Sequence, residues 1–395
     1  MKPLQGVTIL DFSRVMAGPM ATQILGELGA EVIKIERPGA GDEARTWEPR
    51  LPKGESAYFF AFNRAKRSVT LDLKSDKGRE LARQLAAKAD VVVENFLPGH
   101  MAKWGLGYET LKAENPRLIF VSNTGFGQKG PYRDRNGYDT IFQALSGIMS
   151  LTGDADGRPA KVGVPFADLT SGLWIAIAIL TGLAGRAASG KGCHIDIAML
   201  DVQVSLLTIA AARLFATGQD PQRAGTEHPG RVPSAAFECR DGKWLHISGS
   251  DQHWPAICRV LSLDSFRDDA ELEKNAGRVA RRQEVSAAMA AAIARQERQP
   301  LAEALRAAGV PAGEVNSVRE ILGDAHIAAR GMVGNFQHPL EGEFPALRTP
   351  LRIDGFDDPA IATPPVLGAD TDDVLRKMLG ISDTEIGTLR AQGVI

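Results

Sequence analysis

With 395 residues, 44 % of them apolar, the chain is long enough for one large domain and a smaller one, each with its own core. A formal net charge of −2 leaves no broad basic field, which speaks against nucleic acid or an anionic membrane as a main partner while leaving local cations free to hold a small anion. Cys193, Cys239 and Cys258 form no CxxC pair and the seven histidines show no HxH or HxxxH spacing, so neither a disulfide framework nor a metal centre is expected.

The opening MKPLQGVTILDF lacks the basic segment, long apolar run and small-residue cleavage site of a signal peptide, so a cytoplasmic location is expected. VTILDF reads as a first strand, MATQILGELGA as an amphipathic helix and EVIKIE as a second strand. SVTLDL, the helical GRELARQLAAKA, DVVVENF, another helix and LIFVSNTGFG continue the alternation. Strands separated by helices predict βαβ units, hence an α/β class with a Rossmann-like parallel sheet. Ligands of such sheets bind beyond the carboxyl ends of the strands, where DFSRVMAGP, IERPGAGD and NFLPG fall. The first of these loops lacks GxGxxG, which weakens a dinucleotide-dependent dehydrogenase reading despite Glu36 and Arg37 at the end of the second strand. GFGQKGP spells that pattern, but Pro131 follows and no helix begins there, so it reads as a turn.

Leu173–Leu180, the longest apolar run, falls short of the ~20 residues that a bilayer requires and reads as a buried helix. CHIDIAMLDVQVSLLTIAAARLFATG supplies a strand and a long helix, closing the first part of the large domain near residue 221. The composition then turns polar and rich in turn residues, and residues 222–318 read as a smaller α+β domain. Residues 319–395, ending in the helical DTDDVLRKMLGISDTEIGTLRAQGV, are expected to return to the large domain.

Asp168 stands at the mouth of the apolar helix. An acid there is ordinarily an N-cap, yet Thr170 and Ser171 offer caps of their own, so the extra carboxylate invites a chemical role. The positive end of the helix is expected to keep it ionised. Arg37, Lys74 and Lys103, near strand ends, suit the phosphates of an adenosine-bearing coenzyme such as coenzyme A.

LDFSRVMAGPMATQILGELGAEVIKIERPGAGD, FNRAKRSVTLDLKS, VENFLPGHMAKWGLGYE, GFGQKGPYRDRNGYD, VPFADLTSG and PPVLGADTDDVL, in that order, resemble the type III coenzyme A transferases, the CaiB/BaiF family, over nearly the whole chain. Within it the chain looks most like the succinyl-CoA-dependent members that act on dicarboxylates, the glutarate type. The resemblance implies that Asp168 is the nucleophile, passing through an aspartyl anhydride and an aspartyl-CoA thioester. It implies coenzyme A contacts at Val15, Met16, Arg37, Leu71, Lys74, Asn95, Phe96, Lys103 and Trp104, with Trp47 and Tyr138 as active-site walls. Coenzyme A and its thioesters are then substrates, with no permanently bound cofactor. The implied assembly is an interlocked homodimer in which the smaller domain of one chain closes over Asp168 of the other. Two departures stand out: Asn136 replaces a coenzyme-contacting lysine of some members, and SGSDQHW replaces a mobile glycine-rich loop of the oxalate-linked ones.

Two other functions remain open from sequence. Racemisation of α-methylacyl-CoA would place a histidine in the block where this chain has Tyr138, and an unperturbed tyrosine is a poor base at neutral pH. A non-catalytic acyl-CoA-binding protein would not need Asp168 as a nucleophile. For a dicarboxylate acceptor, the distal carboxylate calls for a fixed cation, and Arg45 or Arg231 is the expected partner.

Overall fold

The computed structural model describes residues 2–356 and 361–395. Six short runs rich in Val and Ile form a parallel sheet: β1 (Thr8–Asp11), β2 (Glu31–Glu36), β3 (Lys66–Thr70), β4 (Val91–Glu94), β5 (Ile119–Thr124) and β6 (Cys193–Ala198). The strand order is β3-β2-β1-β4-β5-β6, all neighbours parallel, which is the doubly wound order of a Rossmann-like sheet. The central strand β4 (VVVE) and the first half of β5 (IFVSNT) read as continuous apolar runs because helices cover both faces, while the edge strands β3 (KRSVT) and β6 (CHIDIA) carry polar residues.

Side chains alternate between the two layers. Ile9, Val91, Val93, Ile119 and Val121 pack against α1 (Ala17–Glu27) through Ala21 and Leu25. Leu10, Ile33, Val92 and Phe120 face the other layer, with Leu81 and Leu85 of α2 (Asp76–Lys88). Beyond β5, α3 (Asp139–Leu145) and α4 (Phe166–Ser189) precede β6, and α5 (Met199–Ser205) and α6 (Thr208–Thr217) follow it.

The chain divides into two units, and the boundaries lie at residues 217 and 325 where the sequence suggested 222 and 318. The larger unit comprises residues 1–148, 161–216 and 326–395, so residues 149–160 belong to the smaller one. The smaller unit carries an antiparallel sheet of β7 (Ser234–Glu238), β8 (Trp244–Ser248) and β9 (Ala312–Glu314), with α7 (Trp254–Leu261), α8 (Arg282–Ile293) and α9 (Arg298–Ala307) around a core of Ile247, Trp254, Met289 and Leu305. In the larger unit the chain continues through the hairpin β10 (Val333–His338) and β11 (Gly342–Leu347). It then docks on β3, where the Ser68 N–H donates to Asp370 and Thr70 meets Thr371. The terminal helical segment is broken at Gly380, whose φ of 72° only glycine adopts readily, before α10 (Asp383–Ala391).

The apolar run in α4 is not a wholly buried helix. One side packs on α1 and β5, so closely that a Cβ at Gly172 would lie 2.9 Å from the Ala17 carbonyl oxygen and one at Gly182 2.9 Å from Ile119. The opposite side leaves Leu173, Trp174 and Ile177 exposed. By length and composition α4 is able to cross a bilayer, and so is the α5–α6 pair taken together, but α4 is a layer of this fold.

Candidate active site

β1 and β4 are adjacent, and the connections leaving their carboxyl ends diverge, which makes the crevice between them the natural ligand site of the sheet. The loop after β1 is pinned at nearly every polar atom. Wholly buried Asp11 accepts the Ser13 N–H (2.9 Å) and the Thr22 hydroxyl (2.6 Å) and pairs with Lys66 (3.1 Å). The Lys34 ammonium donates to the Ser13 carbonyl (2.8 Å) and pairs with Asp42 (2.9 Å), which accepts the Val15 N–H (3.1 Å). From the end of β4, Asn95 holds both backbone polar groups of Arg14: Oδ1 accepts its N–H at 2.9 Å and Nδ2 donates to its carbonyl at 2.8 Å.

These bonds hold Val15 at φ 70°, a left-handed conformation that a β-branched residue adopts at a cost of about 1–3 kcal/mol. The buried charges support one another. Burial opposes ionisation of Asp11, yet Lys66 and Lys34 keep its carboxyl below the usual range. Burial pushes the Lys66 ammonium down to about 8, against the pull of Asp11.

Above this platform lie two chambers of about 420 and 490 Å³ that share Arg14, Glu43 and Phe96 and so form one cleft. The first gathers Arg37, Leu71, Lys74, Phe96 and Trp104, with Phe96 and Trp104 packed edge to face. Arg37 and Lys74 are exposed there, and neither side chain has a partner among the described residues. The second gathers Val15, Met16, Asn95, Asn136, Tyr138 and Asp168.

Four sequence candidates are not among the residues lining the two chambers. Lys103 is exposed and lines neither chamber, and Trp47 packs against Tyr58 outside both. Arg231 lies in the smaller unit, lining a separate cavity with Ser250, Asp251 and Asn275. Arg45 requires correction as a substrate contact: it is buried and bonds Glu36 in bidentate fashion (2.8 and 2.9 Å). It also donates to the Pro365 carbonyl and lies 3.6 Å over the Phe59 ring. Its Nε and Nη2 donors are committed to Glu36 and Pro365, and its Nη1 pairs with Glu55 at 3.6 Å.

The opening turn of α4 is capped from elsewhere. Asp139 Oδ1 accepts the backbone N–H groups of Ala167 (2.7 Å) and Asp168 (3.2 Å), a role that neither Thr170 nor Ser171 takes: the Thr170 hydroxyl donates back to Phe166, and the Ser171 hydroxyl is unpartnered. Asp168 is therefore not the cap, and its half-buried carboxyl has no hydrogen bond among the described residues. Nor does the helix end keep that carboxyl strongly acidic. Burial, together with the charge of Asp139, pushes it up to about 7. The sequence reading missed Asp139, Arg14 and Arg135, which line the same chamber. Position after a strand end was a signal for Arg14, and the acid opening the helix after NGY was one for Asp139.

A strained loop, a two-chambered cleft at the strand switch point and an unbonded carboxylate suit covalent chemistry on an extended coenzyme thioester. The sequence pattern of CoA-transferase family III matches residues 4–371. The chain belongs to CoA-transferase family III. It is 39 % identical to a succinyl-CoA:glutarate CoA-transferase of Mus musculus, over 100 % of this chain and 91 % of that one. It is 40 % identical to a succinate–glutarate CoA-transferase of Agrobacterium fabrum, over 88 % of this chain and 89 % of that one. The crystal structure of a CaiB/BaiF family protein from Brucella suis, 40 % identical, superposes with a TM-score of 0.86 over 95 % of this chain and 99 % of that one. As a family III CoA-transferase, the chain is a transferase enzyme, and CoA-transferases use coenzyme A thioesters as substrates.

Proposed function

We propose that this transferase moves coenzyme A from succinyl-CoA to a dicarboxylate of about the size of glutarate, with Asp168 as the covalent carrier. The two glutarate-transferase relatives support the substrate class. The observation that carries the mechanism is the Asp168 carboxylate itself, relieved of the capping role by Asp139 and left without a partner in the chamber that shares Arg14 and Phe96 with the coenzyme-sized one.

The ionised Asp168 carboxylate attacks the succinyl carbonyl and expels coenzyme A thiolate, leaving a mixed aspartyl–succinyl anhydride. The thiolate attacks the aspartyl carbonyl, giving an aspartyl-CoA thioester and free succinate. The acceptor carboxylate then displaces the thiolate from Asp168 to form a second anhydride. Thiolate attack on the acceptor acyl carbon releases the new thioester and regenerates Asp168. Each step passes through a tetrahedral oxyanion. The N-terminus of α1, without a side-chain cap or an acid in its first turn, meets the chamber at Met16 and Ala17 and supplies the positive end of a dipole. Arg37 and Lys74 take the phosphates of the coenzyme in the first chamber.

The working form is a homodimer, a reading supported by the exposed apolar side of α4 and by Ile209 and Phe215 of α6. Trapping tests the chemistry: protein incubated with succinyl-CoA and then hydroxylamine is expected to carry a hydroxamate on the peptide containing Asp168. Modification of a different carboxylate in its place refutes the assignment.

A further inference from the structure

A dicarboxylate held for attack by or on Asp168 brings a second carboxylate into a chamber that already contains Asp139 and Asp168. A further negative charge beside these two carboxylates calls for a cation to offset the repulsion. The cations lining this chamber are Arg14 and Arg135. Arg14 is shared with the first chamber and its guanidinium sits 4.9 Å over Phe96, at the waist where the coenzyme chain must pass.

Arg135 lines the Asp168 chamber alone, and its guanidinium has no carboxylate partner among the described residues. Its nearest acidic neighbour in sequence, Asp134, pairs with Arg133 at 3.5 Å. The Arg135 guanidinium lies 3.6 Å over the ring of Tyr132. Tyr132 meets Phe126 edge to face, and Phe126 meets fully buried Phe142 in the same manner. Arg135 is exposed, and this aromatic ladder, rooted in the core at Phe142, backs its guanidinium on one face while leaving its edge N–H donors available for a bidentate carboxylate.

We propose that Arg135 anchors the distal carboxylate of the acyl group, and so makes the chamber select dicarboxylates over monocarboxylates of equal length. The proposal rests on the transfer reading given above. Because donor and acceptor acyl groups occupy the chamber in turn, one anchor serves succinyl and glutaryl groups alike.

The test compares glutarate with valerate, which has a methyl group in place of the distal carboxylate, and uses butyryl-CoA as a donor that needs no anchor. In the wild type, glutarate is expected to be strongly preferred. Arg135→Gln is expected to lower kcat/KM for glutarate roughly 10- to 100-fold, chiefly through KM, the range of a lost charge-assisted hydrogen bond. Valerate turnover, loading from butyryl-CoA and thermal stability stay unchanged, and Arg135→Lys restores part of the loss. The proposal is overturned if Arg135→Gln keeps the glutarate preference, if valerate falls in parallel with glutarate, or if Arg14→Gln removes the preference in its place. In each of those cases transfer continues and the Asp168 reading stands. Failure of the wild type to move coenzyme A to any acid overturns both.

Discussion

Replacing Asp168 with Asn separates a helix cap from a nucleophile by stability as well as by activity. The Asp168 carboxyl ionises near 7 in the folded chain against an ordinary 3.8. A folded-state pKa raised in this way favours the native state below the unfolded value, and that advantage is lost as the pH climbs through the folded one. The shift corresponds to a ceiling of about 4 kcal/mol. Because the carboxyl is only half-buried, solvent screening reduces this to about 1–2 kcal/mol. Asn keeps the shape and removes the charge, so Asp168→Asn is expected to abolish transfer while raising stability above neutral pH. For a chain of this length the gain is roughly 1–3 °C in Tm. Calorimetry of both proteins at pH 5 and pH 8 reads the effect, with the gain larger at pH 8. A lower Tm for Asp168→Asn at pH 8 would show that the carboxylate stabilises the helix and would refute the reasoning.

The covalent role proposed for Asp168 requires its ionised form, so kcat/KM is expected to fall on the acid side of about pH 7. Asp139→Asn keeps a side chain able to cap α4 but removes a neighbouring charge, and is expected to move that acid limb to lower pH; movement to higher pH contradicts the assigned cause. Arg45→Ala leaves Glu36 buried without its main partner and is expected to cost about 3–5 kcal/mol of stability in denaturant titration; unchanged stability with a raised acceptor KM would return Arg45 to the substrate. Arg37→Ala is expected to weaken acyl-CoA binding about tenfold in calorimetric titration and to erase discrimination against dephospho-CoA, since Arg37 is the unpaired cation at the end of β2. Equal discrimination by both proteins would move the phosphate contact to Lys74. Light scattering at micromolar concentration is expected to give the mass of a dimer, and a fully active monomer would contradict the role given to the exposed sides of α4 and α6.

The parallel sheet was legible because VVVE and IFVSNT are apolar enough to be buried on both faces, a property of the residues themselves. The loops that follow β1, β2 and β4 were legible as the edge that lines the cleft because they leave the carboxyl ends of parallel strands. What escaped depends on where a side chain turns after folding. Arg45 and Arg135 are both arginines beside aromatic residues, yet one is turned inward to Glu36 and the other lines the chamber. The cap of α4 comes from Asp139 on another helix, and no local pattern around Asp168 announces it. The apolar run of α4 concealed its own asymmetry, since Leu173 and Ile175 are equally apolar in sequence while the first is exposed and the second fully buried. Residues 149–160 joined the smaller unit without any periodic pattern to signal it.

The central claim, that Asp168 carries the coenzyme covalently, is tested most directly with acceptor acid labelled in its carboxylates with oxygen-18. Forming and resolving the second anhydride leaves one acceptor oxygen on Asp168 in each turnover, and the next turnover hands an Asp168 oxygen to the departing donor acid. After several turnovers with succinyl-CoA and labelled glutarate, mass spectrometry is expected to find the label in the Asp168 peptide and in the released succinate. Transfer that proceeds with no label in that peptide, or with the label on another carboxylate of the chain, would contradict the account.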